Sequence, residues 1–357
     1  LPSERALVPG PLHVGMSAGL VVRFEEITRC PLEIQDSLLA ALSAARPKIG
    51  ALTLRHLLDH TSGLTRGGPA PRAAALKVIT RGGTARGQGE AWDYSNYNYS
   101  LLGLVIERAS GRDSAAYVHD ELAVPLGLTG TGYCEDGTAV SGRGRDYLSG
   151  RKTVTPTSYW TEPRFFAAGG LWSTVLDLGR WEQALEEGRI VSPPMLQAMR
   201  TPVRLPGAIE ADYGLGTRMG STVGRRKVGH TGGGQGNKAV LARYPDESVT
   251  IAVLLNTERR NAPVTATGIE ERIARLLFAL PEAAPRGDAR HGEAQRYAGQ
   301  YRDGSGLVHI AANAGMLTVR PGWHRQAESR LVARDGGVFV TEDDPSIELR
   351  FQVRDDQ

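Results

Sequence analysis

Residues 227–256 read KVGHTGGGQGNKAVLARYPDESVTIAVLLN, and this stretch decides the fold class. It opens as an extended segment, passes through a glycine-rich stretch, and continues as a β-branched and apolar run from Ala239 to Tyr244. A turn at Pro245-Asp246-Glu247-Ser248 then leads into a second run, Val249 to Leu255. Short apolar runs bounded by turn residues predict paired antiparallel strands. Immediately after them Ile269, Ile273, Leu276 and Leu277 recur at helical spacing, predicting a helix over roughly Val264–Leu280.

Upstream the period is helical. Thr53 is placed as an N-cap before Leu54, Leu57 and Leu58, with Gly63 as the stop. Leu101, Leu102, Val105, Ile106 and Ala109 form one face of a longer helix that follows Asn98 and ends before Gly111. Another begins at Ser173 or Thr174, carries Leu176, Leu178, Trp181 and Leu185, and stops at Gly188. The expectation is an α/β (α+β) fold in which helices flank a mainly antiparallel sheet, spanning residues 1–280. Residues 281–295, opening on Pro281-Glu282-Ala283-Ala284-Pro285, lose periodicity and read as a linker. Residues 296–357 alternate as short strands between glycine turns, a small all-β domain.

Composition limits the function classes. Forty-two basic against thirty-nine acidic residues leave +3, too little field to gather nucleic acid. No apolar run approaches the length of a membrane-crossing helix. The first thirty residues lack the basic start and apolar block of a signal peptide, yet the sequence starts at Leu1, so a cytoplasmic protein and an exported one without its leader both fit. Cys30 and Cys134 are too few for a disulfide framework. Only five lysines are present: Lys48, Lys77, Lys152, Lys227 and Lys238. No cofactor or metal is expected, and a small molecule or peptide is the expected partner.

Four segments carry the chemistry. They are Leu54-Arg55-His56-Leu57-Leu58-Asp59-His60-Thr61-Ser62-Gly63-Leu64, then Tyr94-Ser95-Asn96-Tyr97-Asn98-Tyr99, then Ala168-Gly169-Gly170-Leu171-Trp172-Ser173, and last Gly229-His230-Thr231-Gly232-Gly233. In this order and approximate spacing, from about Leu12 to Leu280, the chain resembles the serine β-lactamase and penicillin-recognising hydrolases. The branch it resembles is the class C-like one, with its D,D-peptidases, D-aminopeptidases and carboxylesterases. The resemblance implies amide or ester hydrolysis through an acyl-enzyme, in which a serine hydroxyl needs a neighbour to take and return its proton. It implies that Tyr94 is the proton-transfer tyrosine and that Asn96 contacts the substrate. It also implies that His230-Thr231-Gly232 stands for the family's Lys-Thr-Gly strand. Thr231, Gly232 and Gly233 would then line the acyl portion and give an oxyanion-hole N–H. The C-terminal piece from Arg296-Tyr297 resembles the lipocalin-like domain that follows many of these hydrolases. His60 and Ser62 are expected to be scaffold at a helix end.

The departure lies at the nucleophile. The family carries a Ser-x-x-Lys box after a strand that Leu12-His13-Val14-Gly15 resembles, and here Met16-Ser17-Ala18-Gly19-Leu20 follows. Ser17 is the candidate nucleophile, but Leu20 stands at the lysine's position and the first lysine is Lys48. Fewer than fifteen residues precede Gly15, so either the sheet lacks the family's leading hairpin or the sequence is a piece of a longer product. His230 is then the expected electrostatic or proton-relay substitute, with impaired turnover. The alternative is a catalytically silent member that binds a peptide, cell-wall fragment or acylated small molecule. Gly15-Met16-Ser17-Ala18-Gly19 also fits a nucleophile elbow, though without the central strands that should precede one. His56 and His60, four apart, would share a helix face as in zinc sites, but Leu57 stands where the general base would be.

Overall fold

A computed structural model describes residues 52–64, 72–73, 77, 86–133, 144–149, 153–157, 166–222, 224–258, 265–279, 294–303, 306–313, 316–321, 329–334, 338–341 and 348–350. Ser17 with its flanks, Cys30, Cys134 and most of the expected linker lie outside the described residues. In chain order the helices are α1 (Leu54–Leu58), α2 (Asn96–Ser110), α3 (Ser114–Val118), α4 (Val124–Leu126), α5 (Val175–Glu186), α6 (Pro193–Met199) and α7 (Ala266–Leu277). The strands are β1 (Gly132–Tyr133), β2 (Tyr147–Ser149), β3 (Val154–Pro156), β4 (Leu171–Trp172), β5 (Val203–Leu205), β6 (Ile209–Ala211), β7 (Arg218–Thr222), β8 (Arg225–Gly234), β9 (Asn237–Tyr244), β10 (Val249–Leu255), β11 (Thr257–Glu258), β12 (Gly299–Asp303), β13 (Gly306–Asn313), β14 (Met316–Pro321), β15 (Ser329–Arg334), β16 (Val338–Thr341) and β17 (Glu348–Arg350). The chain folds into two units, each drawing on several separate segments.

The first unit holds α1 to α6, β1 and β4. The helix expected after Asn98 in fact starts at Asn96, with extended Ser95 as its N-cap and left-handed Gly111 as its stop. Its apolar stripe, Leu101, Leu104 and Val105, packs on Leu52, Leu54, Leu57 and Leu64 of the α1 segment. Gly103 sits where a Cβ would meet the Ala167 Cβ at 2.3 Å, so the turn at Phe166–Ala168 lies directly on α2. A second small core gathers Leu185, Val191 and Leu196 around α5 and α6. Buried Asp177 on α5 accepts from Gly130 N at 2.7 Å and Thr131 Oγ1 at 2.9 Å, tying the β1 approach to the helix.

The second unit contains the antiparallel sheet β10-β9-β8-β7. Residues 237–244 and 249–255 pair in register around the expected turn, Val249 opposite Tyr244. Side chains alternate across the sheet. Val240, Ala242, Tyr244, Ile251 and Val253 face α7 and pack against its Ala266 and Ala274. Gly236, at φ +94°, makes the tight β8–β9 turn possible, and a Cβ there would strike Thr157 at 2.4 Å.

The strands expected after Tyr297 form a six-stranded antiparallel meander, β12 to β17 in sequence order. Its core is Val308, Ile310, Leu317, Val319, Leu331 and Phe339. Among the described residues no helix is long and apolar enough to cross a membrane.

Candidate active site

The expected site residues fall in two groups. Tyr94 and Asn96 belong to the first unit, whereas His230, Thr231, Gly232 and Gly233 belong to the second. Ser17 is not among the described residues.

In the first unit the segments Leu54–Leu64 and Tyr94–Tyr99 are locked together. Thr53 Oγ1 accepts from His56 N at 3.2 Å, and His56 Nδ1 accepts from Thr53 N at 3.2 Å, a reciprocal cap that fixes the start of α1. The helix ends at Leu58, and Asp59 Oδ1 accepts from Thr61 N at 3.1 Å and Thr61 Oγ1 at 2.7 Å. That turn holds His60 at φ +60°, so His60 lies beyond the helix rather than on a face shared with His56. Burial lifts the Asp59 carboxyl above its ordinary range, opposed by the two Thr61 hydrogen bonds.

Within this turn His60 Nδ1 accepts from Ser95 N at 3.2 Å. A backbone N–H only donates, so Nδ1 is unprotonated and the Asn98 Nδ2 at 3.0 Å donates to it as well. Ser62 Oγ donates to Asn98 Oδ1 at 2.7 Å. The His60 ring lies 4.4 Å from the Tyr94 ring and 5.2 Å from that of Tyr99. His60 and Ser62, expected to be scaffold, are thus the scaffold of the Tyr94 turn in particular. Asn96 is the first residue of α2, one place after its cap.

In the second unit β8 carries the other group. β7 pairs with residues 225–229 of β8, and β9 pairs with residues 228–234. Among the described strands, Thr231 to Gly234 therefore have a ladder partner on one side only. Register puts Thr231 opposite Val240 on the α7 face, and His230 opposite Leu241 on the other face. What Thr231 offers to a ligand on the His230 face is therefore backbone.

His230 Nδ1 lies 2.6 Å from Thr231 O, which only accepts, so Nδ1 carries the proton. In the neutral ring Nε2 then accepts from the Tyr213 hydroxyl at 3.1 Å. Tyr213 is 2% exposed and packs at 5.4 Å on Trp92, with the Arg218 guanidinium 5.9 Å from the Tyr213 ring and 6.0 Å from that of Trp92. Burial, and next the Arg218 charge, push His230 down to about 4. The imidazole is uncharged at neutral pH, so of its two expected roles it can relay a proton but not supply positive charge. Tyr213, Trp92 and Arg218 were not singled out from the sequence. Tyr213 alone carries a signal there, an aromatic residue set beside glycines in Asp212-Tyr213-Gly214-Leu215-Gly216.

The lowered His230 value fixes the sign of an acid dependence. The unfolded imidazole binds its proton near pH 6.5 and the folded one only near 4, so stability is lost as pH falls through that window. The shift corresponds to about 3 kcal/mol. Urea unfolding at pH 7 and pH 4 is expected to show this loss in the wild type and a smaller one in His230→Gln. Equal losses in the two proteins would contradict the assignment.

Residues 18–275, well over half of the chain, match the Beta-lactamase family. The match starts one residue after Ser17 and contains all four motif segments. Among curated proteins, the putative penicillin-binding protein PbpX of Bacillus subtilis (strain 168) is 30% identical over 176 residues, covering 48% of this chain and 43% of its own. A D-aminopeptidase of Cereibacter sphaeroides (strain ATCC 17023) is 24% identical over 304 residues, 80% of this chain and 55% of the relative. The chain thus spans about half the length of these two relatives. The octameric penicillin-binding protein homologue from Pyrococcus abyssi has the same fold at a TM-score of 0.61 and 20% identity, over 86% of this chain and 77% of that one. The extent of the family match, with the helix-flanked antiparallel sheet and the four ordered segments inside it, means that the chain belongs to the Beta-lactamase family.

Proposed function

We propose that the chain is a serine hydrolase of amide or ester bonds that works through an acyl-enzyme. The observation that carries this is the stretch Thr231–Gly234 of β8, which has one ladder partner among the described strands. An extended acyl group can add to such an edge through backbone hydrogen bonds. A backbone N–H on the same stretch suits a developing oxyanion. In this reading Ser17 attacks the carbonyl, Tyr94 takes the hydroxyl proton and returns it to the leaving group, and Asn96 holds the substrate amide or ester. Neutral His230 serves as the relay partner. The D-aminopeptidase relative supports D-amino-acid peptides as one substrate class, and β-lactams and simple esters are the others. The division at 281–295 into a hydrolase domain and an appended β domain is part of the same proposal.

A second reading has its own observation. Leu20 stands where the family's lysine would follow Ser17, and a member without that lysine would bind a peptide, cell-wall fragment or acylated small molecule without turning it over. Incubating the full chain with a p-nitrophenyl ester and with a D-amino acid p-nitroanilide separates the two. Release of nitrophenolate or nitroaniline above the buffer rate supports the hydrolase. No release with either, beside saturable binding of an unreactive substrate analogue, establishes the silent binder.

A further inference from the structure

We infer that His60 is the positioning residue for Tyr94, clamping its ring in one orientation; the catalytic consequence rests on the role proposed above for Tyr94. The first observation is backbone. His60 adopts φ +60°, a left-handed region that a side chain with a Cβ enters only at a steric cost. If only the turn mattered, glycine would adopt it without that cost and asparagine at little cost. A histidine there implies a use for its ring.

The second observation is what the ring does. It is 1% exposed and packs against Tyr94 on one side and Tyr99 on another. The ring cannot rotate freely, because Nδ1 receives both the Ser95 N–H and the Asn98 amide. Nor can Asn98 turn over, since Ser62 Oγ donates to its other end. Tyr99 adds a further tie through its hydroxyl to Leu58 O at 3.0 Å. Ser95 directly follows Tyr94, so the same ring fixes the backbone after Tyr94 and the face of its side chain. With both restrained, the phenol oxygen has one direction rather than a fan of them. Proton transfer is sensitive to that direction, and a 1 Å misplacement costs on the order of 10²-fold in rate.

Two substitutions separate the ring from the turn. His60→Asn tolerates the left-handed backbone and offers a carbonyl oxygen in place of Nδ1, but has no ring to hold Tyr94. Ser62→Ala leaves the ring in place and loosens the Asn98 amide that fixes it. In His60→Asn, kcat for p-nitrophenyl ester hydrolysis is expected to fall by roughly 10-fold to 10²-fold with KM within about twofold of wild type. Ser62→Ala is expected to show a smaller fall of the same kind. NMR of ring-labelled tyrosine, assigned through Tyr94→Phe, gives a readout independent of turnover. The two edges of the Tyr94 ring are expected to give separate signals in the wild type and averaged signals in His60→Asn. Wild-type kcat together with wild-type Tyr94 signals in folded His60→Asn would overturn the inference. If Tyr94→Phe leaves turnover intact, it is the proposed site that fails, and the ring signals still decide whether His60 holds Tyr94. Should His60→Asn not fold, unchanged ring signals and kcat in Ser62→Ala would overturn it.

Discussion

Tyr94→Phe is expected to abolish measurable hydrolysis of a p-nitrophenyl ester, a fall in kcat of about 10²–10⁴-fold, the usual contribution of a positioned acid–base group. The substitution removes one oxygen and keeps the ring. The contact with His60 at 4.4 Å is therefore retained, and the Ser95 N–H bond to His60 Nδ1 is untouched. Stability and KM are accordingly expected to stay close to wild type, which separates a lost proton acceptor from a damaged fold. The effect is expected to be large because Leu20 supplies no amine to share the work. An unchanged rate would mean that the reacting tyrosine lies elsewhere.

Lys227→Met is expected to give the largest loss of stability, about 3–5 kcal/mol, because it leaves a fully buried carboxylate without its cation. Glu270 on α7 has no exposed surface, and Lys227 Nζ on β8 lies 3.0 Å from its Oε2. Its Oε1 accepts from the Tyr244 hydroxyl, which in turn accepts from Thr222 Oγ1 at 2.9 Å. Burial, and next the Glu270 charge, hold the Tyr244 phenol well above its ordinary value, so it remains a donor. The chain of bonds runs from Thr222 on β7 through Tyr244 on β9 and Glu270 on α7 to Lys227 on β8. Cutting it at the cation leaves the charge behind, whereas Lys227→Met with Glu270→Gln leaves none. The double variant is therefore expected to recover part of the loss, read as urea midpoints. A single variant within 1 kcal/mol of wild type would show that the pair contributes little.

The parts of the fold that the sequence made legible were those with a local period. The helical stripes placed α2, α5 and α7 to within a few residues, and the apolar runs on either side of Pro245–Ser248 placed β9, β10 and their turn equally well. The four motif segments pointed to Tyr94 and to the β8 stretch for the same reason, since each is continuous in the chain. What was hidden depends on long-range contacts. Tyr213 meets His230 from 17 residues away, Asn98 meets Ser62 from 36, and Glu270 meets Lys227 from 43. None of these pairs has a periodic signature. The left-handed His60 was hidden for a different reason. Asp59 and Thr61 form a local turn by side-chain hydrogen bonds, so the residue that read as the fourth step along a helix lies beyond its end. The face of Thr231 follows from register with Val240, and register is set only when β9 is paired.

Mass spectrometry of the full chain after reaction with a fluorophosphonate probe decides whether Ser17 forms the acyl-enzyme. One added probe mass is expected, on the peptide that contains Ser17. No adduct there, with substrate analogues still bound, would contradict it.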